Sequence, residues 1–484
     1  MTVRTVVSYL RPITNPRNPW RIQGWKSLDF HFVGKEYNLR LVVIGGDAAG
    51  MSAASRAKRN IPTLEVTVLE KTNDVSYSAC GMPYNIADIH REMNDLVVRE
   101  AQVFRDKQGI DLRLGHCVES IDRETKRVSG KDLYGQEFNI PYDKLLIATG
   151  ASPIIPDLPG FNQHGVMGLK TLENGRNIKS FIDKQDVRQV VIIGMGYIAL
   201  EMCEALRARK IEVHMVKPRP IFLPWMPDEL ASSIKKEVED NGVKVHLGHK
   251  IDHIDRNGNM LRVVCSDLTL EGEMVLVAVG VTPNSKLASD ARIDLGLSKA
   301  ISVDRTLRTS DEDVFAAGDC ADAFHVVTGE KTWIPLALRA NRAGWAVADN
   351  LTGKRVELSG VAGTSVFKVF DLEVARTGLG IIEAKKADFE PVEVVIKARS
   401  RAHAHPGAST IWVQMVGDRS TGRLLGAQLV GKEGAAHRIN ATAVALHRKM
   451  TVEEFSQCDL AYAPPFSPVW DPMLTAANQL IKRM

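Results

Sequence analysis

The sequence predicts an α/β fold with two parallel-sheet units and a separate C-terminal α+β domain, and three observations predict it. A strand–glycine-loop–helix–strand pattern occurs twice, about 150 residues apart. Three further apolar runs, within Leu145–Pro153, Val275–Asn284 and Thr309–Ala323, each end in glycine. That is expected where a buried parallel strand delivers the chain to the carboxyl edge of a sheet. From Gly360 onward the texture changes to alternating runs such as SVFKVFDLEV, VEVVIKAR and STIWVQMV, followed by helical sequence. This reads as an α+β domain on an antiparallel sheet.

The first unit runs from the apolar strand Leu41–Ile44 through a glycine turn and a helix of small residues to a second strand ending at Glu70. The second repeats this order, with Gly194, Gly196 and Ala199 in its loop. Both have the form of Rossmann-like dinucleotide-binding units. One glycine permits the tight turn, a second lets the backbone approach a pyrophosphate, and a small residue at the sixth position lets helix and strand pack. The helix N-terminus supplies partial positive charge for the phosphates. In the first loop Gly45, Ala48 and Gly50 are present, but Asp47 stands where the middle glycine is expected.

A length of 484 residues implies about three domains. With 62 basic against 58 acidic side chains the net charge is only +4, which gives no reason to expect a nucleic-acid partner. The six cysteines are scattered, with no CxxC pair and no metal-ligand spacing, so neither a disulfide framework nor a metal site is expected and the cytoplasm is the default location. No apolar run approaches the roughly 18 residues of a membrane span, so no membrane association is expected. Residues 1–39 carry Arg4, Arg11, Arg17 and Arg21 before the first acid, Asp29, with Pro12, Pro16 and Pro19 among them. They read as an N-terminal extension without folded structure.

Cys80 lies in Ser76-Tyr77-Ser78-Ala79-Cys80-Gly81-Met82-Pro83-Tyr84, at a loop-to-helix junction where helix-terminal amides would stabilise a thiolate. Together with the two glycine loops and the Ala317-Gly318-Asp319 motif, this stretch resembles the pyridine nucleotide–disulfide oxidoreductases, in particular their single-cysteine branch of coenzyme A disulfide reductases, NADH oxidases and peroxidases, and persulfide reductases. The likeness runs from about Leu39 to the C-terminus. It implies an FAD-binding domain (40–152 and 281–356), an NAD(P)H-binding domain (153–280) and a C-terminal dimerisation domain (357–484). Cofactor binding is then expected at Gly45, Ala48, Gly50, Glu70, Lys71, Ser76, Thr149, Gly150, Gly194, Gly196, Tyr197, Ala199, Glu201, Lys217, Gly280, Asp319 and Ala337. In this resemblance Glu70 serves the adenosine ribose, Asp319 the ribityl chain, and Tyr197 covers the flavin until the nicotinamide displaces it.

The implied activity is an FAD-dependent NAD(P)H oxidoreductase that reduces a small disulfide or persulfide of the coenzyme A type through Cys80 alone. An NADH oxidase passing through a cysteine sulfenate, or a flavin-dependent carrier to a protein or metal acceptor, are the alternatives. The resemblance makes Tyr462 a proton donor reaching a second copy's Cys80 across a homodimer. The branch's tyrosine pair is replaced here by Ala404 and His405, and the histidine that peroxidases place in the first glycine loop is replaced by Ala48. Arg56, Arg59, Lys432 and Arg438 are candidates for the phosphates of coenzyme A. Lys217 and Arg219 stand where an acid would select NADH, which points to NADPH.

Overall fold

The computed structural model describes residues Leu39–Met484, so the expected unstructured extension lies, apart from Leu39, outside the described residues. The first sheet is all parallel, with strands in the order Val314–Ala316, Lys144–Ile147, Arg40–Ile44 (β1), Glu65–Glu70 (β2) and Asp111–Leu114. Four of the five β1 residues are buried, as a strand covered on both faces requires. The intervening helix Ala48–Asn60 (α1) buries Ala49, Gly50, Ala53, Ala54 and Ala57. Small residues are needed there because the Ala337–Leu351 helix lies almost in backbone contact with it. A Cβ on Gly344 would sit 2.2 Å from the Ala49 carbonyl oxygen.

The second sheet repeats the design with strands Lys244–Leu247, Glu212–Lys217, Gln189–Ile193, Met274–Val277 and Val166–Met167, all parallel. The repeat extends to backbone detail. Gly45 has φ +109° and would place a Cβ 2.2 Å from the Ala148 carbonyl oxygen, while Gly194 has φ +115° and would place one 2.2 Å from that of Ala278. In each unit the first loop glycine donates its N–H to the end of the following strand, Leu69 or Val216. A side chain at either glycine would break the turn.

An antiparallel ribbon of Ala151–Pro153 with Val281–Pro283 joins the two units where the chain leaves the first and returns to it. The third large sheet is antiparallel, ordered Ser365–Val369, Leu372–Gly378, Leu424–Gly431, Thr410–Asp418 and Pro391–Arg399. Leu424–Gly431 is buried along its whole length, beneath helix Ala435–His447, while helix Pro472–Ile481 covers the neighbouring strands Thr410–Asp418 and Pro391–Arg399. The α+β expectation for this region therefore holds. Among the described residues no helix is long and apolar enough to cross a membrane.

Candidate active site

Two uncapped helix N-termini face the carboxyl edges of the two parallel sheets. Asp47 is the N-cap residue of α1, and Gly196 holds the matching position before helix Tyr197–Ala208; neither helix receives a side-chain capping hydrogen bond. Free N-terminal amides beside a glycine turn suit the pyrophosphate of a dinucleotide. The two loops differ in one respect. At Gly196 an added Cβ would meet nothing within 4 Å, whereas the first loop has a carboxyl group there. Burial pushes the Asp47 carboxyl up to about 6, with Lys170 opposing and Glu70 and Asp319 reinforcing the shift.

Around the first loop, buried Glu70 accepts the Gly46 N–H at 2.7 Å on one oxygen and the Thr72 N–H and hydroxyl at 2.8 Å on the other. The oxygen that accepts from Gly46 retains a second lone pair, which leaves it able to take a ribose hydroxyl. Ser76 adopts φ +51°, a left-handed conformation unusual for serine, and donates its N–H to Gly46. Thr149 donates its hydroxyl to the Asn284 carbonyl, next to Gly150 at φ +68°. Gly318, at φ +86°, brings Asp319 against the start of α1, since a Cβ there would lie 3.1 Å from that of Ala49. The Asp319 carboxylate pairs with Lys170 at 2.8 Å. Lys71, Gly280 and Ala337 are exposed at the rim. Cys320, next to Asp319, is fully buried, and burial pushes its thiol up.

Cys80 sits in a single 3₁₀ turn, Ala79–Gly81, just ahead of helix Met82–Ala87 (α2). The expectation that helix amides stabilise its thiolate is corrected here. Burial and then the Glu201 charge push the thiol up, as Asp319 and Asp47 also do, and Lys170 alone of these groups pulls it down. The cause is crowding: carboxylates from the first loop, from the Asp319 turn and from the second unit's helix all act on one sulfur. Tyr84, four residues after Cys80, donates its hydroxyl to Glu201 at 3.2 Å. Burial raises the Glu201 carboxyl to about 7, although the Tyr84 hydrogen bond opposes this.

Tyr197 and Glu201, both expected at the cofactor, meet different partners. The Tyr197 ring packs on Phe367 at 4.8 Å between centroids and edge-on to Trp225 at 5.7 Å, and its oxygen accepts from Ser365. Ala199 is buried behind the loop. Lys217 ends its strand as expected, but its ammonium donates to the Phe222 carbonyl at 2.8 Å, and burial lowers its pKa. Arg219 is the exposed cation of the pair. The four candidate phosphate-binding cations share no partner. Arg56 is bidentate on Asp349, and Arg438 is held by Asp471 and by the Gly434, Ser400 and Phe466 carbonyls. Both guanidinium groups are therefore committed inside the protein. Lys432 pairs with Asp371 at the surface, and Arg59 is exposed. Tyr462 is 48% exposed, in a stretch where Phe466, Val469 and Trp470 are also exposed. His403 is hydrogen-bonded to Arg399, and His405 to the Pro406 carbonyl.

Residues 39–344 match the pyridine nucleotide-disulphide oxidoreductase family, and residues 364–473 match the dimerisation domain of the same family. The chain belongs to the pyridine nucleotide-disulphide oxidoreductases. It is thus an FAD- and NAD(P)H-dependent oxidoreductase. The chain is 37% identical over 448 residues to an NAD(P)H coenzyme A polysulfide/persulfide reductase of Pyrococcus horikoshii, covering 93% of this chain and all of that protein. It is 32% identical over 450 residues to an NADH oxidase of Methanocaldococcus jannaschii, covering 92% and 99%. A solved NAD-dependent persulfide reductase from A. fulgidus superposes with a TM-score of 0.89 at 35% identity, covering 92% of this chain and 83% of that one. Sequence reasoning missed Lys170 and the role of Tyr84. The i,i+4 spacing of Cys80 and Tyr84 was the available signal for the second; nothing local flagged the first.

Proposed function

We propose that this oxidoreductase uses NAD(P)H to reduce a low-molecular-weight disulfide or persulfide of the coenzyme A type, with Cys80 as its one reactive sulfur. A single observation carries the reading. Tyr84, four residues after Cys80, donates its hydroxyl to Glu201 on the second unit's helix at 3.2 Å, so the Cys80 turn lies where the two units meet. A cysteine that reaches the surface, although protein packs around its thiol, can receive electrons at the meeting point of two dinucleotide loops and present them to a substrate. In this reading residues 40–152 and 281–356 hold FAD and 153–280 hold the nicotinamide. The first-loop glycines, Glu70 and Asp319 anchor the former; Gly194, Gly196 and Tyr197 serve the latter.

FAD supplies the two-electron transfer that side chains cannot perform. The chain's own chemistry is thiol exchange. The Cys80 thiolate attacks one sulfur of the substrate, a thiolate leaves, and a mixed disulfide or persulfide forms on Cys80. Lys170 offsets part of the negative charge around the sulfur. Tyr462 of a second copy protonates the leaving thiolate, which makes the homodimer the working unit. Its exposure beside Phe466, Val469 and Trp470 is what an interface position needs.

Cys80→Ser tests this. The variant should retain FAD and its reduction by NAD(P)H, and should lose turnover with coenzyme A disulfide and persulfide. Steady-state rates with those acceptors, with sulfur and with oxygen separate the substrate classes. Disulfide turnover unchanged in the serine variant would end the mechanism.

A further inference from the structure

The segment that carries Cys80 belongs to the first unit in sequence but packs in the second. Residues 77–97 leave the first unit and return to it through a neck closed by the antiparallel bridge of Tyr77 with Val97, where Ser78 donates its N–H to the Leu96 carbonyl and Val98 donates its N–H to that of Ser76, both at 2.8 Å. Between these ends Met82, Ile86 and Met93 are buried in the apolar core that holds Ile178, Ile182 and Val190 of the second unit, whereas the first unit's core is built on Leu41 and Val43. The approach is close. Helix Leu172–Lys184 has Gly175 at that point, and a Cβ there would stand 2.9 Å from the Met93 sulfur and 3.3 Å from that of Met82. Glycine weakens a helix, and this contact accounts for its presence.

Two cations of the same helix, one turn apart, fasten the segment. Arg176 is bidentate on Asp74, ahead of the neck, at 2.6 and 2.8 Å, and also donates to the Asn94 side chain at 2.8 Å. The Lys179 ammonium donates to the backbone carbonyls of Asn85 at 3.1 Å, of Asp88 at 2.6 Å and of Arg91. A cation at the carboxyl end of α2 is also favoured by the helix dipole. Together with the Tyr84–Glu201 hydrogen bond, these contacts let the second unit grip the chain on both sides of Cys80.

We propose that the second unit carries Cys80 mechanically, with Arg176 and Lys179 as the positioning residues that hold its sulfur at the edge of the first unit. The distance between the sulfur and the first glycine loop is then set by how the second unit is seated. Neither cation reacts; each acts through the backbone it holds.

The inference rests on the reading of Cys80 as the reactive thiol. It is tested on the FAD-loaded enzyme with Lys179→Met, which keeps a long side chain but cannot donate to the three carbonyls. Hydrogen–deuterium exchange read by mass spectrometry, with no substrate present, should show protection across residues 82–97 lowered by about 10–100-fold, as loss of hydrogen bonds to a charged group predicts, while the two parallel sheets are unchanged. Flavin reduction by NAD(P)H should stay within about twofold of wild type and KM for coenzyme A disulfide near wild type, while kcat falls by about 10–10²-fold, because a displacement of about 1 Å costs about 10²-fold. Arg176→Gln removes the grip on Asp74 and Asn94, should give the same split, and carries the test if Lys179→Met does not fold. Unchanged exchange across 82–97 overturns the clamp, and faster exchange with unchanged kcat overturns its hold on the sulfur. A merely structural role would lower the thermal midpoint and slow both half-reactions alike, and that result overturns the positioning role. Turnover retained in Cys80→Ser would end the reading on which the inference rests, and it is distinguishable because exchange in Lys179→Met does not depend on which group reacts.

Discussion

Gly196→Ala separates ligand recognition from folding more cleanly than any other loop substitution. Its backbone is extended, with φ −84° and ψ −172°, which alanine adopts freely, and an added methyl would meet no protein atom within 4 Å. The folding cost is confined to the weaker N-cap preference of alanine, under about 1 kcal/mol. The neighbouring glycines behave differently. A Cβ at Gly194 would lie 2.2 Å from the Ala278 oxygen, and one at Gly50 would lie 1.9 Å from the Gly45 oxygen. The methyl at 196 therefore projects into open space in front of the loop. If that molecule is the nicotinamide cofactor's pyrophosphate, it must withdraw by about 1 Å, and misplacement on that scale costs about 10²-fold. Stopped-flow reduction of the bound flavin by NAD(P)H reads this directly. The expected result is normal FAD content, a thermal midpoint close to wild type, and an apparent second-order rate constant lower by about 10²-fold. Unchanged reduction kinetics would show that the pyrophosphate does not approach this loop, and loss of FAD with normal kinetics in the remainder would assign the two loops the wrong way round.

Three other outcomes follow from particular contacts. Because Lys217 is tied to the Phe222 carbonyl and Arg219 is exposed, Arg219→Glu should lower the NADPH/NADH ratio of kcat/KM by roughly tenfold or more, while Lys217→Met should lower thermal stability more than it alters that ratio; a reversed pattern refutes the assignment. Asp47 is raised to about 6, so the folded protein holds its proton more tightly than the unfolded chain does, and its ionisation opposes folding and opposes a bound pyrophosphate as pH rises from about 4 through 6. Asp47→Asn should therefore retain FAD better than wild type at pH 8 and equally at pH 4.5 in ultrafiltration assays; equal retention at both would remove Asp47 from the site. Asp349 is buried, and the hydrogen bonds of Arg56, Asn60 and Lys354 hold its carboxyl far below the usual range. This stabilises the fold above about pH 4 and is lost as pH falls further, so Arg56→Met should cost about 1–3 kcal/mol in urea unfolding at pH 7, with the gap closing in acid. If Arg56→Met spares stability but weakens turnover with coenzyme A disulfide, the phosphate-binding expectation for Arg56 is reinstated.

The glycine loops were legible in sequence because only glycine accepts φ near +110° with a carbonyl oxygen 2.2 Å from where a Cβ would stand, so the turn writes itself into residue identity. Strand runs such as RLVVI and QVVII were legible because both faces of a parallel sheet are buried. Charge pairing left no local trace. Lys170 meets Asp319 across 149 residues, and Arg438 meets Asp471 across 33. Each of these cations looks like a solvated side chain when read in isolation. The expected phosphate patch therefore assigned guanidinium groups that the fold had already committed. Lys217 shows the same limit on a smaller scale, since a carbonyl five residues away takes the ammonium assigned to a phosphate.

The site's electrostatics also bear on why Cys80, the sulfur proposed to react, stands alone. Asp47, Asp319 and Glu201 all oppose ionisation of Cys80, and one lysine, Lys170, opposes them while being itself paired with Asp319. A resting thiol in such a field is largely protonated at neutral pH, which protects an exposed cysteine from adventitious oxidation, because the thiolate is the form that oxidants attack. The same field makes a thiolate, once formed, a stronger nucleophile, since nucleophilicity rises with pKa. The cost is that something must take the proton at the moment of attack. A permanent cation beside Cys80 would have favoured the thiolate at rest and forfeited that protection.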